Sequence, residues 1–327
     1  MYTFWHKLPR PFTALAPMED VTDTVYRQLV AECGRPDVFF TEFTSADGLF
    51  SRGRDKVIHR LQFTEAERPL VAQIWGNNPE NYFHAAALLS ELGFDGIDIN
   101  MGCPVSKIIK KGCCSGLIEN PSLACELIRA AKEGAPTLPI SVKTRLGFRE
   151  IQTESWTQTL LEMQPAALTM HGRTAVQLSK GAANWVEIAR VVSIRDAMNS
   201  KTVILGNGDV NSMQRVTELH AESAVDGVMI GRGIFQNLFL FNPVATPLAE
   251  RSPFEKLELL ERHLQMFVTT WGKDKRFGAV KKFFKNYISG FSGATPLRTS
   301  MIEAREVDEV MRYLKDAKQH WRATAAK

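Results

Sequence analysis

The feature that most constrains the fold is a regular alternation of short apolar runs with segments of helical spacing. Eight runs, many of them rich in β-branched residues and each ending in polar or glycine residues, lie at residues 13–18, 38–43, 70–76, 96–103, 138–147, 167–173, 203–208 and 227–233. The helical segments between them include 82–93 and 122–134, each of which ends in a glycine that we expect to cap the helix. Eight strands alternating with helices over this length predict a closed (β/α)8 barrel, the TIM-barrel fold. A doubly wound open sheet is the competing architecture, but the strand-linked Gly-x-Gly-x-x-Gly that it would carry is absent from the sequence.

The strand pattern stops near residue 240, at a proline-bearing segment that spans residues 241–254. Beyond it, apolar residues recur at helical spacing and predict two amphipathic stripes. The first stripe contains Val280, Phe283, Phe284, Tyr287 and Ile288, and the second contains Val307, Val310, Met311 and Leu314. We therefore expect a barrel domain over residues 1–240 and a small helical domain over residues 241–327.

Charge is distributed unevenly between these two regions. Residues 252–327 contain 15 Lys and Arg against 9 Asp and Glu, whereas the rest of the chain contains 25 against 27. A basic appendage on a near-neutral body suggests a polyanionic partner, although a solvated helical face would also look like this. Lys281, Lys282 and Lys285 flank the first apolar stripe, so we expect them to point partly or fully outward and to contact the negative groups of such a partner.

Composition excludes several classes of protein. No run of eighteen apolar residues is present, so we expect no membrane span, and the first residues lack the apolar core of a signal peptide. The five cysteines form no Cys-x2-Cys pair and no scaffold of a small secreted protein. We therefore expect a cytoplasmic protein without a metal site. We also expect a monomer.

In a (β/α)8 barrel the active site lies at the carboxyl ends of the strands. The polar or conformationally special residues at these ends are Pro17, Met18, Gln73, Asn100, Cys103, Lys143, Arg145, His171, Arg173, Asn207, Gly208, Gly231 and Arg232. The last two strands end in glycine turns, at Asn207–Gly208 and at Gly231–Arg232. Loops after strands 7 and 8 commonly bind phosphate in this fold, and Arg232 adds a guanidinium fork. The alternative is that these glycines only form tight turns.

Lys143 lies inside an apolar β-run, where an ammonium group is costly unless it meets a negative group. Such a lysine could form a Schiff base with a carbonyl substrate, or it could lie beside the N1/O2 edge of a flavin. The flavin fits the other residues better. Gln73 can hydrogen-bond the pyrimidine edge of the ring, His171 can bond nearby unless it is only a core histidine, and Pro17–Met18 can pack against the ring.

Cys103 follows the fourth strand directly. Metal binding is disfavoured, because only Cys113 and Cys114 are near it in sequence and vicinal cysteines seldom share one ion. A redox disulfide with Cys113 and a buried structural thiol remain alternatives. The sharper hypothesis is a proton donor to the carbon beside the one that receives a hydride. That task needs a thiol protonated near neutral pH, so we expect its pKa not to be strongly lowered.

The strand-end motifs, in this order, resemble those of the tRNA-dihydrouridine synthase family. The matching stretches are APMEDVTD (16–23), TEF (41–43), VAQIWG (71–76), GIDINMGCP (96–104), SVKTRLG (141–147), HGRT (171–174), GNGDV (206–210) and GVMIGRG (227–233). The resemblance covers the whole barrel, and the basic helical tail follows as in that family. It implies an FMN-containing barrel that reduces uridine to 5,6-dihydrouridine in tRNA with NADPH as reductant.

Roles for individual residues follow from this resemblance. It implies hydride transfer from FMN N5 to uracil C6, proton transfer from Cys103 to C5, a uracil contact by Asn100, and uracil or RNA contacts by Arg145 and Arg173. The implied FMN-binding residues are Pro17, Met18, Glu19, Gln73, Lys143, His171, Asn207, Gly208, Asp209, Gly231 and Arg232. The tail resembles the family's tRNA-binding domain.

This chain departs from the family pattern in two places. Ser179 and Asn184 stand where the family usually has Tyr and Asp, which puts a substrate-side or RNA-side contact in doubt. Cys113 and Cys114 stand where small residues are common. Two competing functions remain: a Schiff-base lyase that uses Lys143, and a non-catalytic RNA-binding protein on a barrel. The presence of Cys103, Lys143 and His171 argues against the second.

Overall fold

The computed structural model describes residues 2–325, and its sheet is wholly parallel. The strands are β1 (Phe12–Leu15), β2 (Phe39–Phe40), β3 (Thr44–Ser45), β4 (Leu70–Trp75), β5 (Gly96–Met101), β6 (Ile140–Arg145), β7 (Ala167–His171), β8 (Val203–Asn207) and β9 (Gly227–Ile230). They are hydrogen-bonded in the order β1-β9-β8-β7-β6-β5-β4-β2, with β3 also on β4.

The sheet closes on itself around the second strand position. β1 pairs with β9 on one side, and Ala14 forms a bridge with Val38, just before β2, on the other. Both β2 and β3 pair with β4, so together they fill one of eight barrel positions. The predicted (β/α)8 barrel is therefore confirmed. Its second predicted strand, over residues 38–43, forms only in part, as β2, and β3 follows just beyond it.

The helices of the chain follow the expected alternation through the barrel and continue after it. They are α1 (Thr24–Cys33), α2 (Ala46–Leu49), α3 (Pro79–Glu91), α4 (Ser106–Ile109), α5 (Pro121–Gly134), α6 (Thr153–Glu162), α7 (Trp185–Ala197), α8 (Met213–Ser223), α9 (Pro253–Trp271), α10 (Gly278–Lys281), α11 (Phe284–Tyr287), α12 (Ala294–Glu303) and α13 (Val307–Ala325). Within residues 2–325, none of these helices is long and apolar enough to cross a membrane.

The amino-terminal end of the barrel is filled by aromatic side chains. Trp5 is fully buried, and its ring lies 5.9 Å from that of Phe12 and 6.2 Å from that of Phe40. Phe12 is the first residue of β1, so this cluster closes the barrel at the end where its strands begin. The carboxyl ends of the strands remain for chemistry.

The two predicted glycine caps have different outcomes. Gly93 has a φ of 78° just after α3, as a helix-ending glycine should. Gly134 instead lies inside α5, whose C-cap is Ala135. A Cβ on Gly134 would lie 2.1 Å from the carbonyl oxygen of Phe83, so this glycine permits close packing of α5 on α3 rather than ending a helix.

The chain divides into two compact units at Gly231–Arg232. The second unit contains the chain from Arg232 onward and also the segment Val25–Arg35, which is most of α1. The predicted division into functional domains at residue 240 stays a prediction. The last two residues of the predicted helical domain, 326 and 327, lie outside the described part of the chain.

The first apolar stripe of the second unit is buried, but it does not lie on one helix. It is split between α10 and α11, and all five of its residues are at most 5% exposed. Val310 and Leu314 of the second stripe are also fully buried, on α13. The expected helical core is thus present. Only its first stripe lies on shorter helices than the spacing suggests, since the second lies on the 19-residue α13.

Candidate active site

Parallel register brings the predicted strand-end residues together at one end of the barrel. Across neighbouring strands, Asn100 is paired with Lys143, and His171 is paired with both Arg145 and Asn207. Asp98, which precedes Asn100 on β5 and lies deeper in the barrel, is paired with Gln73 of β4. The predicted candidates on β4 to β8 therefore form one continuous polar band.

Asp98 is a central residue of this band that the sequence reasoning missed. Its carboxylate is fully buried and accepts hydrogen bonds from Ser141 Oγ at 2.6 Å and from Gln73 Nε2 at 2.7 Å. Burial raises the pKa of Asp98 to about 6, although both hydrogen bonds and the charge of Lys143 act in the opposite direction. An Asp in the apolar run GIDINM was the available signal, since the argument applied to Lys143 holds equally for a carboxylate.

A chain of amides runs from Asp98 to the catalytic candidate. Asn100 Nδ2 donates to Gln73 Oε1 at 3.0 Å. Asn100 Oδ1 accepts from the backbone N–H groups of Gly102 at 3.0 Å and of Cys103 at 2.9 Å. Gln73 and Asn100 thus form these hydrogen bonds within the protein. Those of Asn100 Oδ1 fix the backbone of Cys103. Their predicted contacts with the flavin ring and with uracil stay predictions.

Cys103 is half-buried, and its carbonyl oxygen is held by Ser115, whose hydroxyl donates at 2.9 Å and whose backbone N–H donates at 3.3 Å. This connection brings the turn that begins at Cys114 beside Cys103. A hydrogen bond from the Cys114 thiol is the largest influence on Cys103 and lowers its pKa to about 7. Burial acts in the opposite direction, while Val105 and Arg145 add to the lowering. Our expectation of a pKa that is not strongly lowered therefore needs correction, because a neighbouring thiol stabilises the thiolate.

The partner thiol is Cys114 rather than Cys113. Cys114 is fully buried with a φ of 54°, and its hydrogen bond to Cys103 and its burial hold its pKa well above the usual range. Cys113 is also buried, and burial raises its pKa to about 11. All five cysteines are free thiols. Sequence reasoning could not select Cys114, because Cys113 and Cys114 are adjacent in sequence and only the folded chain shows which thiol bonds to Cys103.

Lys143 is half-buried, and its ammonium donates to Asn207 Oδ1 at 3.2 Å. Asn207 is fixed in turn by a hydrogen bond of 2.8 Å from its Nδ2 to the carbonyl of Met229. Burial, together with the nearby charge of Arg145, lowers the pKa of Lys143 to about 8, although Asp98 and Cys103 act in the opposite direction. The site therefore has a lysine whose positive charge is incompletely balanced.

Arg145 and Arg173 are buried and hold loops. Arg145 Nε donates to the Gly102 carbonyl at 2.7 Å, and its Nη1 donates to the carbonyls of Thr174 and Leu178. Arg173 is 2% exposed and forms an ion pair of 2.5 Å with Asp209. These uses weigh against direct contact with RNA, which stays a prediction for both arginines.

Other predicted cofactor residues also have partners in the protein. Asp209 has a φ of 55° and accepts from the Ala183 N–H at 2.8 Å as well as from Arg173. Glu19 forms an ion pair of 2.6 Å with Arg60. The Arg173 Nη1 lies 3.3 Å from His171 Nε2, so the histidine has a polar neighbour in the site. Arg232 is the first residue of the second compact unit.

The backbone around the predicted phosphate turns is unusual in one place. Gly208 has a φ of 135°, and a Cβ there would lie 2.5 Å from the Cβ of Ala183. A side chain is therefore excluded at this position. Gly231 is less restricted, since a Cβ would meet Ala16 and Met18 only at ordinary contact distances.

The departure at Asn184 has a simple structural outcome. Asn184 is the N-cap of α7, and its Oδ1 accepts from the Glu187 N–H at 3.1 Å. Asn and Asp perform this capping equally well. Ser179 lies in an exposed stretch over residues 176–182, so nothing in the barrel packing depends on it.

The three tail lysines differ from one another. Lys281 is half-buried, and its ammonium donates to the carbonyls of Ile302 and Ala304 at the end of α12. Lys282 and Lys285 are exposed, and the Lys282 ammonium lies 5.3 Å from the Phe283 ring centroid. Lys281 therefore has a structural use, while RNA contact stays a prediction for all three.

No group of three or more His, Cys, Asp or Glu able to hold a metal ion occurs in the part of the chain that the structure describes.

Comparison with known proteins decides the family. Residues 14–322 match the family model described as Dihydrouridine synthase (Dus). This chain belongs to the dihydrouridine synthase family. The resemblance seen in the strand-end motifs is confirmed, and with it the expectation that the chain is an enzyme, of an oxidoreductase family.

Individual relatives agree with the family assignment. A probable tRNA-dihydrouridine synthase 2 of Bacillus subtilis is 45% identical over 316 residues, which are 96% of each chain. A probable tRNA-dihydrouridine synthase of Staphylococcus aureus is 44% identical over 310 residues, 94% of this chain and 93% of the relative. Among solved structures, a 2-naphthoyl-CoA reductase complex matches with a TM-score of 0.54 and 9% identity, over 71% of this dihydrouridine synthase and 49% of that chain. That last likeness concerns the fold alone.

Proposed function

We propose that this dihydrouridine synthase reduces uridine to 5,6-dihydrouridine in tRNA, with FMN as its cofactor and NADPH as the reductant. The observation that carries the proposal is the half-buried Cys103 thiol at the carboxyl end of the barrel, fixed by Asn100 beside strands that carry Lys143 and His171. The names of relatives that are 44–45% identical over nearly the whole chain support tRNA as the substrate.

The residues present fit a flavin mononucleotide. Lys143 is a half-buried cation whose neighbours do not fully balance its charge, which suits the N1/O2 edge of the ring. Pro17, Met18, Glu19, Gln73 and His171 would surround the ring. The phosphate would lie beside Asn207, where the backbone N–H groups of Gly208, Asp209 and Gly231 and the guanidinium of Arg232 would hold it. Bound there, FMN would supply the hydride equivalent that C6 of uracil accepts.

The protein's own contribution is proton transfer and positioning. Cys103 would hold the proton that C5 of uracil receives, and Asn100 would keep the Cys103 backbone in place through its Oδ1. Because Cys114 stabilises the thiolate, it would make Cys103 a stronger acid and ease the loss of its proton. The target base would have to leave its stack to reach a site at the barrel mouth, which costs a few kcal/mol.

One observation favours a second candidate, a Schiff-base lyase. A lysine whose pKa is lowered to about 8 is partly neutral near physiological pH, as a nucleophilic amine must be. The half-buried thiol and its fixed backbone have no use in that reaction, so the reductase is the better account. A non-catalytic RNA-binding protein would have no need for either group.

The free thiols and a tRNA substrate both support a cytoplasmic enzyme. The experiment that tests the proposal is anaerobic titration of the purified protein with NADPH. We expect a yellow protein whose visible flavin bands bleach on addition of NADPH. A colourless protein that is inactivated by borohydride in the presence of a carbonyl compound would support the lyase instead.

A further inference from the structure

The second compact unit contains a lysine buried without an acidic partner. Lys256, on α9, is only 4% exposed. Its ammonium donates to the Ala249 carbonyl at 2.9 Å, and within residues 2–325 it forms no ion pair with a carboxylate. An ammonium group has three N–H donors, so two remain for another ligand. Burying a cation in this way is costly unless an anion compensates it.

This lysine lines a cavity of about 370 Å³ that contains no acidic residue. The cavity is formed by Phe235, Gln236, Leu248, Ala249, Lys256, Lys285, Asn286, Ser289 and Gly290. We call it the Lys256 pocket. Its two lysines give it a positive charge, and Lys285 is exposed at its edge. Its lining therefore complements an anion.

A second polar group in the Lys256 pocket lacks a partner. The side-chain Nδ2 of Asn286 is buried and has no hydrogen-bond partner among the described residues. A buried amide donor left unpaired costs about 1–3 kcal/mol, so such groups are rare in folded proteins. Asn286 lines the same cavity as Lys256. A rotation of its amide toward the cavity would let a single oxyanion accept from both residues.

The backbone also leaves room beside the ammonium. Gly290 has a φ of 75°, and a Cβ there would lie 3.8 Å from Lys256 Nζ. Any larger side chain at residue 290 would extend from a point next to the ammonium. The absence of one keeps that side of Lys256 open.

We propose that the Lys256 pocket binds a phosphate group of the RNA backbone, with Lys256, Asn286 and Lys285 as its donors. This inference rests on the proposed function, since it takes tRNA as the substrate. A phosphate presents several acceptor oxygens and a negative charge, which match the unused donors and the positive lining. Such a contact carries no sequence information and would help to orient the tRNA.

The test compares Lys256→Met with wild type, using an unmodified tRNA transcript at several salt concentrations. We expect tRNA binding to weaken roughly ten-fold or more, as for loss of a charged hydrogen bond, and the salt slope to fall by about 1. The thermal midpoint should not fall, because the substitution removes an uncompensated buried charge. Lys273→Ala is the matched control, since it removes an exposed lysine of the same unit outside the pocket.

A structural role for Lys256 would produce the opposite pattern. If Lys256→Met lowers the thermal midpoint and leaves the affinity and salt slope for tRNA unchanged, the proposal is overturned. If Lys256→Met does not fold, Asn286→Ala decides in its place, with a several-fold loss of tRNA affinity expected and an unchanged affinity contradicting the proposal.

Inorganic phosphate separates this proposal from the proposed function. If wild-type protein neither binds nor modifies tRNA, the proposed function fails, and the pocket is tested by whether phosphate stabilises wild type more than chloride does at equal ionic strength. Absence of that stabilisation would overturn the anion site itself. If phosphate stabilises wild type but Lys256→Met binds tRNA normally, the pocket takes free phosphate and its assignment to RNA is wrong.

Discussion

The Cys103 region of the barrel and the Lys256 pocket of the second unit use their polar groups in opposite ways. Around Cys103, the side chains of Asp98, Gln73 and Asn100 hydrogen-bond one another in series. In the Lys256 pocket, an ammonium has one acceptor and a buried amide has none among the described residues. The first arrangement suits chemistry that needs a fixed acid, and the second suits a ligand that supplies the missing acceptors.

The largest expected effect breaks the chemistry and leaves the binding. Cys103→Ala should lower the rate of dihydrouridine formation by about 10²–10⁴, the usual contribution of a positioned acid. Flavin content and affinity for tRNA should remain those of wild type. Rapid-quench measurement with unmodified tRNA checks this, and an unchanged rate would remove Cys103 from the mechanism.

The next effect tests whether the serial hydrogen bonds fix the acid. Asn100→Ala removes both acceptor contacts to the backbone of residues 102 and 103 and should destabilise the fold by about 1–3 kcal/mol. We expect turnover to fall while flavin binding persists. Asn77→Ala, which removes a single hydrogen bond to Lys111, is the control. If both variants turn over like wild type, the hydrogen bonds of Asn100 are not needed to position Cys103 for catalysis.

A smaller effect concerns Cys114 and pH. A general acid acts in its protonated form, so activity should decline as pH rises through the Cys103 pKa of about 7. Cys114→Ala removes the hydrogen bond that stabilises the thiolate, and the decline should move toward the ordinary cysteine pKa of about 8.5. Cys113→Ala should leave the profile in place. A decline at the same pH in Cys114→Ala would show that Cys114 does not set the acidity.

The smallest effect separates the tail lysines. Lys282→Ala with Lys285→Ala should flatten the salt dependence of tRNA binding by a slope of about 1–2. Lys281→Ala should instead lower stability, because its ammonium holds the carbonyls of Ile302 and Ala304. Filter binding and urea unfolding measure the two quantities. Equal salt slopes in the double variant and wild type would leave Lys282 and Lys285 as a solvated face.

Sequence predicted the barrel well because alternating apolar runs record burial directly, and burial determines which segments become strands. It predicted the band of strand-end residues for the same reason, since parallel strands bring their carboxyl ends together. The break between β2 and β3 was not predictable from the apolar run 38–43, because it depends on how the segment meets β4.

Partners of individual side chains were harder to predict. Asp98 could have been found from its position in an apolar run, but its bonds to Ser141 and Gln73 come from neighbouring strands. The contact between Cys103 and Cys114 joins the segment after β5 to a later turn, in which Cys114 has a φ of 54°. In sequence, Lys281 is equivalent to Lys282 and Lys285. In the structure, Lys281 donates to the carbonyls at the end of α12. In each case the deciding contact joins segments that are distant in sequence or depends on one backbone angle.

The most direct test of the central claim is mass analysis of unmodified tRNA incubated anaerobically with the protein and NADPH. The account predicts nucleotides heavier by about two mass units, the two hydrogens added across C5 and C6 of uracil, and almost none with Cys103→Ala. Wild-type protein that holds reduced flavin yet leaves every uridine unchanged would contradict it.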